Sequence, residues 1–207
     1  MKYIALKNGD RISALTLGVA GLHRLAEPEA VQLIKTAKKH GVDCMDMYAE
    51  NAQAFVYAQE AIKGSAEALK LIIHFGVDYS RGDVRYVTQT DEILNSVTAQ
   101  MQTLRIDRLD YACLDCPRGL ADLEAARTGV FPMMQELKKA GVIHELCAYT
   151  ENPAETASLL DTGYFAFVMV NNGTSVVICE EAGRTASELR SPADLVELHN
   201  ILKEYKV

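Results

Sequence analysis

The segment "CMDMYAENAQ", residues 44–53, closes an apolar run with Asp46 and follows it with Tyr48 and Glu50. Two carboxylates and a phenol directly after a buried strand could form a corner that moves protons, since each can hold or give one. A second chemical signal is the pair Cys113 and Cys116 in "CLDC", a spacing that serves metals or thiol redox chemistry. Side chains alternate along a strand, however, so residues three apart face opposite ways. Cys44, Cys113 and Cys147 are instead expected on one inward face, in register with Asp46, Asp115 and Tyr149. Inward cysteines commonly act as small core residues. A carboxylate beside Cys116 would raise that thiol's pKa and blunt it as a nucleophile. His23 in "GLHRL" reads as a loop histidine on the side of the same corner. Glu50 and Asn51 read as the first-turn acid and cap of the next helix, and "RGDVRY" (81–86) as a charged surface loop.

An alternation of apolar runs and helical patterns must position these groups. "KYIALKNGDRISALTLG" opens with a hairpin turning at Asn8-Gly9-Asp10, and "SALTLGVA" is the first buried strand. In "PEAVQLIKTAKKHG", Ala30, Leu33, Ile34 and Ala37 fall at helical spacing, with Pro28 near the start and Gly41 past the end. Strand two is "VDCMDM", followed by the helix "AQAFVYAQEAIKG", and strand three is "ALKLIIHFG", followed by the helix "TDEILNSVTAQMQTLR". Strand four, "LDYACLD", leads to the helix "FPMMQELKKAG", and strand five, "VIHELCAY", to the helix "NPAETASLLDTG", capped by Asn152. "YFAFVMVN" and "TSVVICE" are strands six and seven, "CEEAGRTASELRSP" is a polar surface loop, and "SPADLVELHNILKEY" is a closing helix capped by Ser191. Apolar strands that alternate with helices imply a parallel sheet covered by helices, and seven with short connections suggest a barrel. No Gly-rich dinucleotide turn or Walker-type loop follows any of the strands.

The 207 residues are 49% hydrophobic and 24% charged, as expected of a soluble globular protein forming a single domain over 1–207. A formal net charge of −7 argues against nucleic acid and anionic membranes as partners. No apolar run approaches the roughly 18 residues of a membrane span. Five cysteines at irregular spacing do not suggest a disulfide framework, and the expected location is cytoplasmic, with reduced thiols.

Together, "YIALKNGDRISALTLG", "HGVDCMDMY", "LNSVTAQMQTLRIDRLDYACLDCP" and "LKKAGVIHELCAYTENPAE" resemble the aldo-keto reductase family, over roughly residues 2–170. That resemblance implies a (β/α)8 TIM barrel performing NADPH-dependent carbonyl reduction with a catalytic Asp, Tyr, Lys and His at the strands' carboxyl ends. Asp46 matches the aspartate. The tyrosine position holds Asn51, with Tyr48 or Tyr57 as possible substitutes; the lysine position holds His74 and the histidine position Asp115. The Ser-Asn pair that holds the nicotinamide aligns with Tyr149 and Thr150, and the strand-six glutamine with Met169. Without the lysine's fixed charge, a phenol would stay near a pKa of ~10.

The expectation is therefore a barrel truncated to about seven strands, with an N-terminal β-hairpin and with NADPH binding lost. Asp46, Tyr48, His74 and Asp115 are expected at its mouth, with no assigned metal. A gap between strands one and seven would be covered by homo-oligomerisation or a heteromeric partner. The leading functional reading is a non-catalytic subunit or regulatory partner. The alternatives are an enzyme with acid-base or metal-assisted chemistry at Asp46, His74 and Asp115, and a divergent NAD(P)H-dependent reductase.

Overall fold

The computed structural model describes residues 1–64, 69–173, 175–181 and 184–205. Ala68 of the expected third strand, Thr174 of the seventh, and Ala182 and Gly183 of the expected loop lie outside the described residues. The N-terminal hairpin forms as expected, with β1 (Tyr3–Ala5) antiparallel to β2 (Arg11–Ser13) and Ile4 opposite Ile12. It closes the amino-terminal end of a barrel: Ile12 and Leu6 bury into the barrel interior, and Tyr111 reaches down to donate to Asp10 at 2.9 Å.

Five strand–helix steps follow. They are β3 (Leu15–Gly18) with α1 (Glu27–Lys39), then β4 (Cys44–Asp46) with α2 (Gln53–Ile62). β5 (Lys70–Phe75) leads through a small hairpin, β6 (Val77–Asp78) and β7 (Arg85–Tyr86), into α3 (Thr90–Leu104). β8 (Leu109–Asp115) precedes two helices, α4 (Leu120–Ala126) and α5 (Val130–Lys139). β9 (Ile143–Thr150) leads into a short 3-10 turn, Pro153–Glu155, which Asn152 caps by accepting from Ala154 N at 3.2 Å, and this turn runs on into α6 (Thr156–Asp161), which has no side-chain cap of its own. The chain then departs from strand–helix alternation: β10 (Val168–Asn171), β11 (Val176–Glu181) and β12 (Arg184–Arg190) succeed one another before α7 (Leu195–Glu204).

The strands close a barrel in the order β3-β4-β5-β8-β9-β10-β11-β12 and back to β3. This is the expected (β/α)8-type architecture, and the expected seven-strand gap is filled. β11 runs antiparallel to both neighbours, while β12 pairs parallel with β3, placing Glu188 opposite Leu15 and Arg190 opposite Leu17. Antiparallel neighbours can be joined without a crossover helix, so two barrel positions are filled with few residues. The segment read as a polar loop supplies β12. Its polar side chains are satisfied across strands and by the last helix: Ser187 bonds Thr16 at 2.8 Å, and Glu188 accepts from Tyr205 at 2.7 Å.

Two apolar layers result. Inside the barrel lie Ile12, Cys44, Ile72, Tyr111, Cys113 and Cys147, with the Tyr111 and Phe167 rings edge to face at 4.9 Å. Outside it, alternate strand residues such as Met45, Leu71 and Leu114 pack against the helices. In α7, Leu198, Ile201 and Leu202 are buried in that outer layer against α1, and no gap remains for them to plug. The cap of α7 is Asp194, accepting from Glu197 N at 2.8 Å, where the sequence suggested Ser191.

Candidate functional site

The last residue of β4, the fifth of β5 and the last of β8 are Asp46, His74 and Asp115. All three point into the mouth. His74 Nε2 lies 2.8 Å from Asp46 Oδ1, and His74 Nδ1 lies 2.6 Å from Asp115 Oδ1. A neutral imidazole has one N–H and one bare nitrogen, whereas two carboxylates both require a donor. The geometry therefore calls for imidazolium. Burial of His74 opposes that charge, but the adjacent carboxylates of Asp115 and Asp46 overcome it and hold the ring's pKa well above its ordinary value. Asp115 keeps a second oxygen, Oδ2, buried with no hydrogen-bond partner, a condition that costs about 1–3 kcal/mol. Gly76, at φ +152°, makes room for it: a Cβ there would lie 2.8 Å from that oxygen.

Tyr48 also reaches this mouth, so all four expected residues converge. Its ring sits 5.5 Å from the His74 ring and its hydroxyl 3.2 Å from that of Tyr86. Burial, and then the hydrogen bond to Tyr86, push the Tyr48 phenol above its ordinary pKa. Tyr57 instead packs into the outer layer from α2. Asn51 is held in the loop, donating to Asp83 Oδ1 at 2.9 Å and accepting from Gln53 N at 2.9 Å; contrary to expectation Ala52 stands at the N-cap of α2, and no acid lies in its first turn. Glu50 pairs with Arg24, and half-buried His23 lies 3.8 Å from the same carboxylate.

The mouth opens into a pocket of about 360 Å³. Tyr149, at the end of β9, stands on the other side of His74, with ring centroids 6.2 Å apart. Its hydroxyl donates to Glu151 Oε1 at 3.2 Å and accepts from Asn171 Nδ2 at 3.3 Å, and burial raises its pKa to about 12. Met169, Leu189 and Ser191 complete the wall nearest the closing strands. Sequence reading missed Tyr86, Glu151 and Asn171 as lining residues. Tyr86 was hidden in the "RGDVRY" segment, which is part of a hairpin that Arg85 fastens to Asp78 at 2.8 Å. An aromatic within an otherwise polar loop was the available signal.

The thiols do not form a reactive pair. Cys113 faces the barrel interior and Cys116 the outer layer, as strand alternation demands. Burial pushes both thiols up, and the Asp115 charge contributes at Cys116. Among the described residues, His74, Cys113 and Asp115 bring one donor atom each within 4.8 Å of one another. To ligate a metal, His74 would have to surrender its bond to Asp115 and Cys113 a tightly held proton.

The aldo/keto reductase family model matches residues 14–200. No curated protein matches the sequence. Among solved structures, a Pseudomonas aeruginosa protein assigned to the aldo-keto reductases superposes with a TM-score of 0.73 at 16% identity, covering 98% of this chain and 92% of that one. An aldo-keto reductase from Bacillus halodurans, in its holo form, gives 0.73 at 13% identity, covering 100% and 91%. An aldo-keto reductase from Bombyx mori in complex with NADP gives 0.59 at 16% identity, covering 82% and 58%.

Proposed function

The chain belongs to the aldo/keto reductase family, and we propose that within it the protein is a non-catalytic binding subunit or regulatory partner. The observation that carries this reading is His74, held by both ring nitrogens between the buried carboxylates of Asp46 and Asp115. Carbonyl reduction needs a proton donor whose pKa is drawn toward neutrality by a neighbouring positive charge. In the family pattern a lysine supplies that charge. Here the cation at the lysine position is spent on two internal carboxylates, and the nearby phenol of Tyr48 is pushed the wrong way.

The residues of the mouth do not fit a nicotinamide dinucleotide. Tyr149 stands where the family pattern expects the nicotinamide-holding serine, and its hydroxyl is engaged by Glu151 and Asn171. Thr150 is buried, donating to Pro117 O at 3.4 Å and accepting from Asn152 N at 3.1 Å. Among the described residues that line the pocket there is no lysine or arginine, while Asp46, Asp115 and Glu151 would repel phosphates. New acid-base chemistry is less well supported, since a relay requires one ring nitrogen free to exchange a proton with substrate.

The Bombyx mori relative, held with NADP, makes the dinucleotide the first ligand to test. Fluorescence titration with NADPH, paired with an assay of NADPH-dependent aldehyde reduction, is expected to give neither saturable binding nor turnover. Micromolar affinity for NADPH would overturn the proposal.

A further inference from the structure

Resting on the reading of the barrel as a binding module, we propose that its mouth binds a small organic ammonium ion, such as a primary or quaternary amine head group. Tyr48, Tyr86 and Tyr149 would surround the cation, with Asp115 and Glu151 supplying the counter-charge.

Charge sign comes first. Three carboxylates line the pocket, Asp46, Asp115 and Glu151, against the single imidazolium of His74, so the lining stays net negative. Asp46 and one oxygen of Asp115 are committed to His74. The second oxygen of Asp115 is not: it is buried without a partner on a side chain only 7% exposed. A cation entering the pocket would compensate this carboxylate at short range, where the low-dielectric surroundings screen little. A neutral carbonyl compound would leave the excess charge unanswered, and an anion would add to it.

The second element is aromatic. Tyr48 and Tyr149 flank His74, and Tyr86 reaches over from the small hairpin to meet the Tyr48 hydroxyl. Phenol faces attract cations through the negative face of the ring, and tyrosines grouped around an acidic pocket are the usual host for an alkylated ammonium. A bare metal ion would make no use of these rings. The cavity, about 360 Å³, falls at the small end of the range for organic ligands. Tyr86 is 65% exposed, which suits a rim residue that an occupant would cover.

Calorimetric titration of the full chain tests this, using choline and phenethylammonium as probes and dimethylbutanol, the uncharged carbon isostere of choline, as the control. At least one ammonium probe is expected to bind saturably, and choline at least about tenfold more tightly than its isostere. Tyr86→Ala should weaken the bound ammonium by about tenfold while leaving the thermal midpoint unchanged, because its ring carries little of the core. Equal binding of choline and dimethylbutanol, or no saturable binding of either ammonium probe, would overturn the inference. Failure of the binding-module reading is a separate observation, since it shows in the NADPH titration and not in the comparison of choline with its isostere.

Discussion

At the level of single residues, His74 decides the chemistry of the mouth. Removing one member of a buried ionic triad strands the others, and stranded charges are worth about 3–5 kcal/mol of destabilisation. His74→Leu is therefore expected to lose about 3–5 kcal/mol at pH 7 by urea unfolding, because Asp46 and Asp115 then face each other without a cation. At about pH 5 the loss should shrink, since one carboxyl can take up a proton and relieve the pair. In the parent protein the titrating group is His74 itself, and it titrates at higher pH. The pKa of His74 is raised on folding from an unfolded value near ~6.5, so its contribution is fully present below that pH and disappears as pH rises through the folded value. Stability of the parent should thus decline from about pH 6.5 through the folded value of His74, a loss on the alkaline side that His74→Leu lacks. A small loss, equal at both pH values, would mean that the triad is screened by solvent. Asp46, His74 and Asp115 were legible in the sequence because a family pattern fixed their strand positions, and strand alternation then set their direction. Their proximity, and with it the preference of His74 for its charged form, followed from the same positions; what was not legible is how the ring nitrogens divide the carboxylates, Nε2 to Asp46 and Nδ1 to Asp115, which depends on ångström-scale distances.

Elements show where pattern reading works and where it stops. Buried parallel strands such as "LDYACLD" are continuously apolar and stand out against their neighbours, and helices such as Glu27–Lys39 announce themselves by spacing and by Pro28. β12 was invisible by the same criteria. Thr185, Ser187, Glu188 and Arg190 read as solvent-seeking, yet Thr16, Tyr205 and the neighbouring strands satisfy them. A composition rule has no access to partners that lie about 170 residues away in the chain. The closing helix illustrates the same point on a smaller scale. Ser191 and Asp194 are both acceptable caps by residue type, but only Asp194 meets the Glu197 amide. Asp194→Ala should cost about 1 kcal/mol by denaturant midpoint, as expected for a lost N-cap, whereas Ser191→Ala leaves the helix cap intact. Equal effects from both substitutions would contradict the assignment of the cap.

For the molecule as a whole, barrel closure changes the case for association. The expectation of an oligomer rested on unpaired edges beside strands one and seven, and such edges invite pairing with another chain. With β11 and β12 inserted, every barrel strand has two neighbours, so that argument no longer applies. Exposed apolar surface does not revive it. Among the described residues the large exposed hydrophobics are Tyr3, Val56, Tyr86 and Val196, on the hairpin, α2, β7 and α7 respectively, and they do not come from a single element. Stable homodimers bury roughly 800 Å² per partner, commonly around a contiguous apolar centre. Among the described residues no helix is long and apolar enough to cross a membrane, so none of these side chains belongs to a helical span. The chain alone is therefore expected to scatter light as a monomer at low micromolar concentration. A regulatory role would then operate through a heteromeric partner or through occupancy of the mouth pocket, with Tyr86 on its rim as the residue both would meet. A concentration-independent dimer in that experiment would locate an interface outside the barrel edges and restore self-association as the basis of the protein's role.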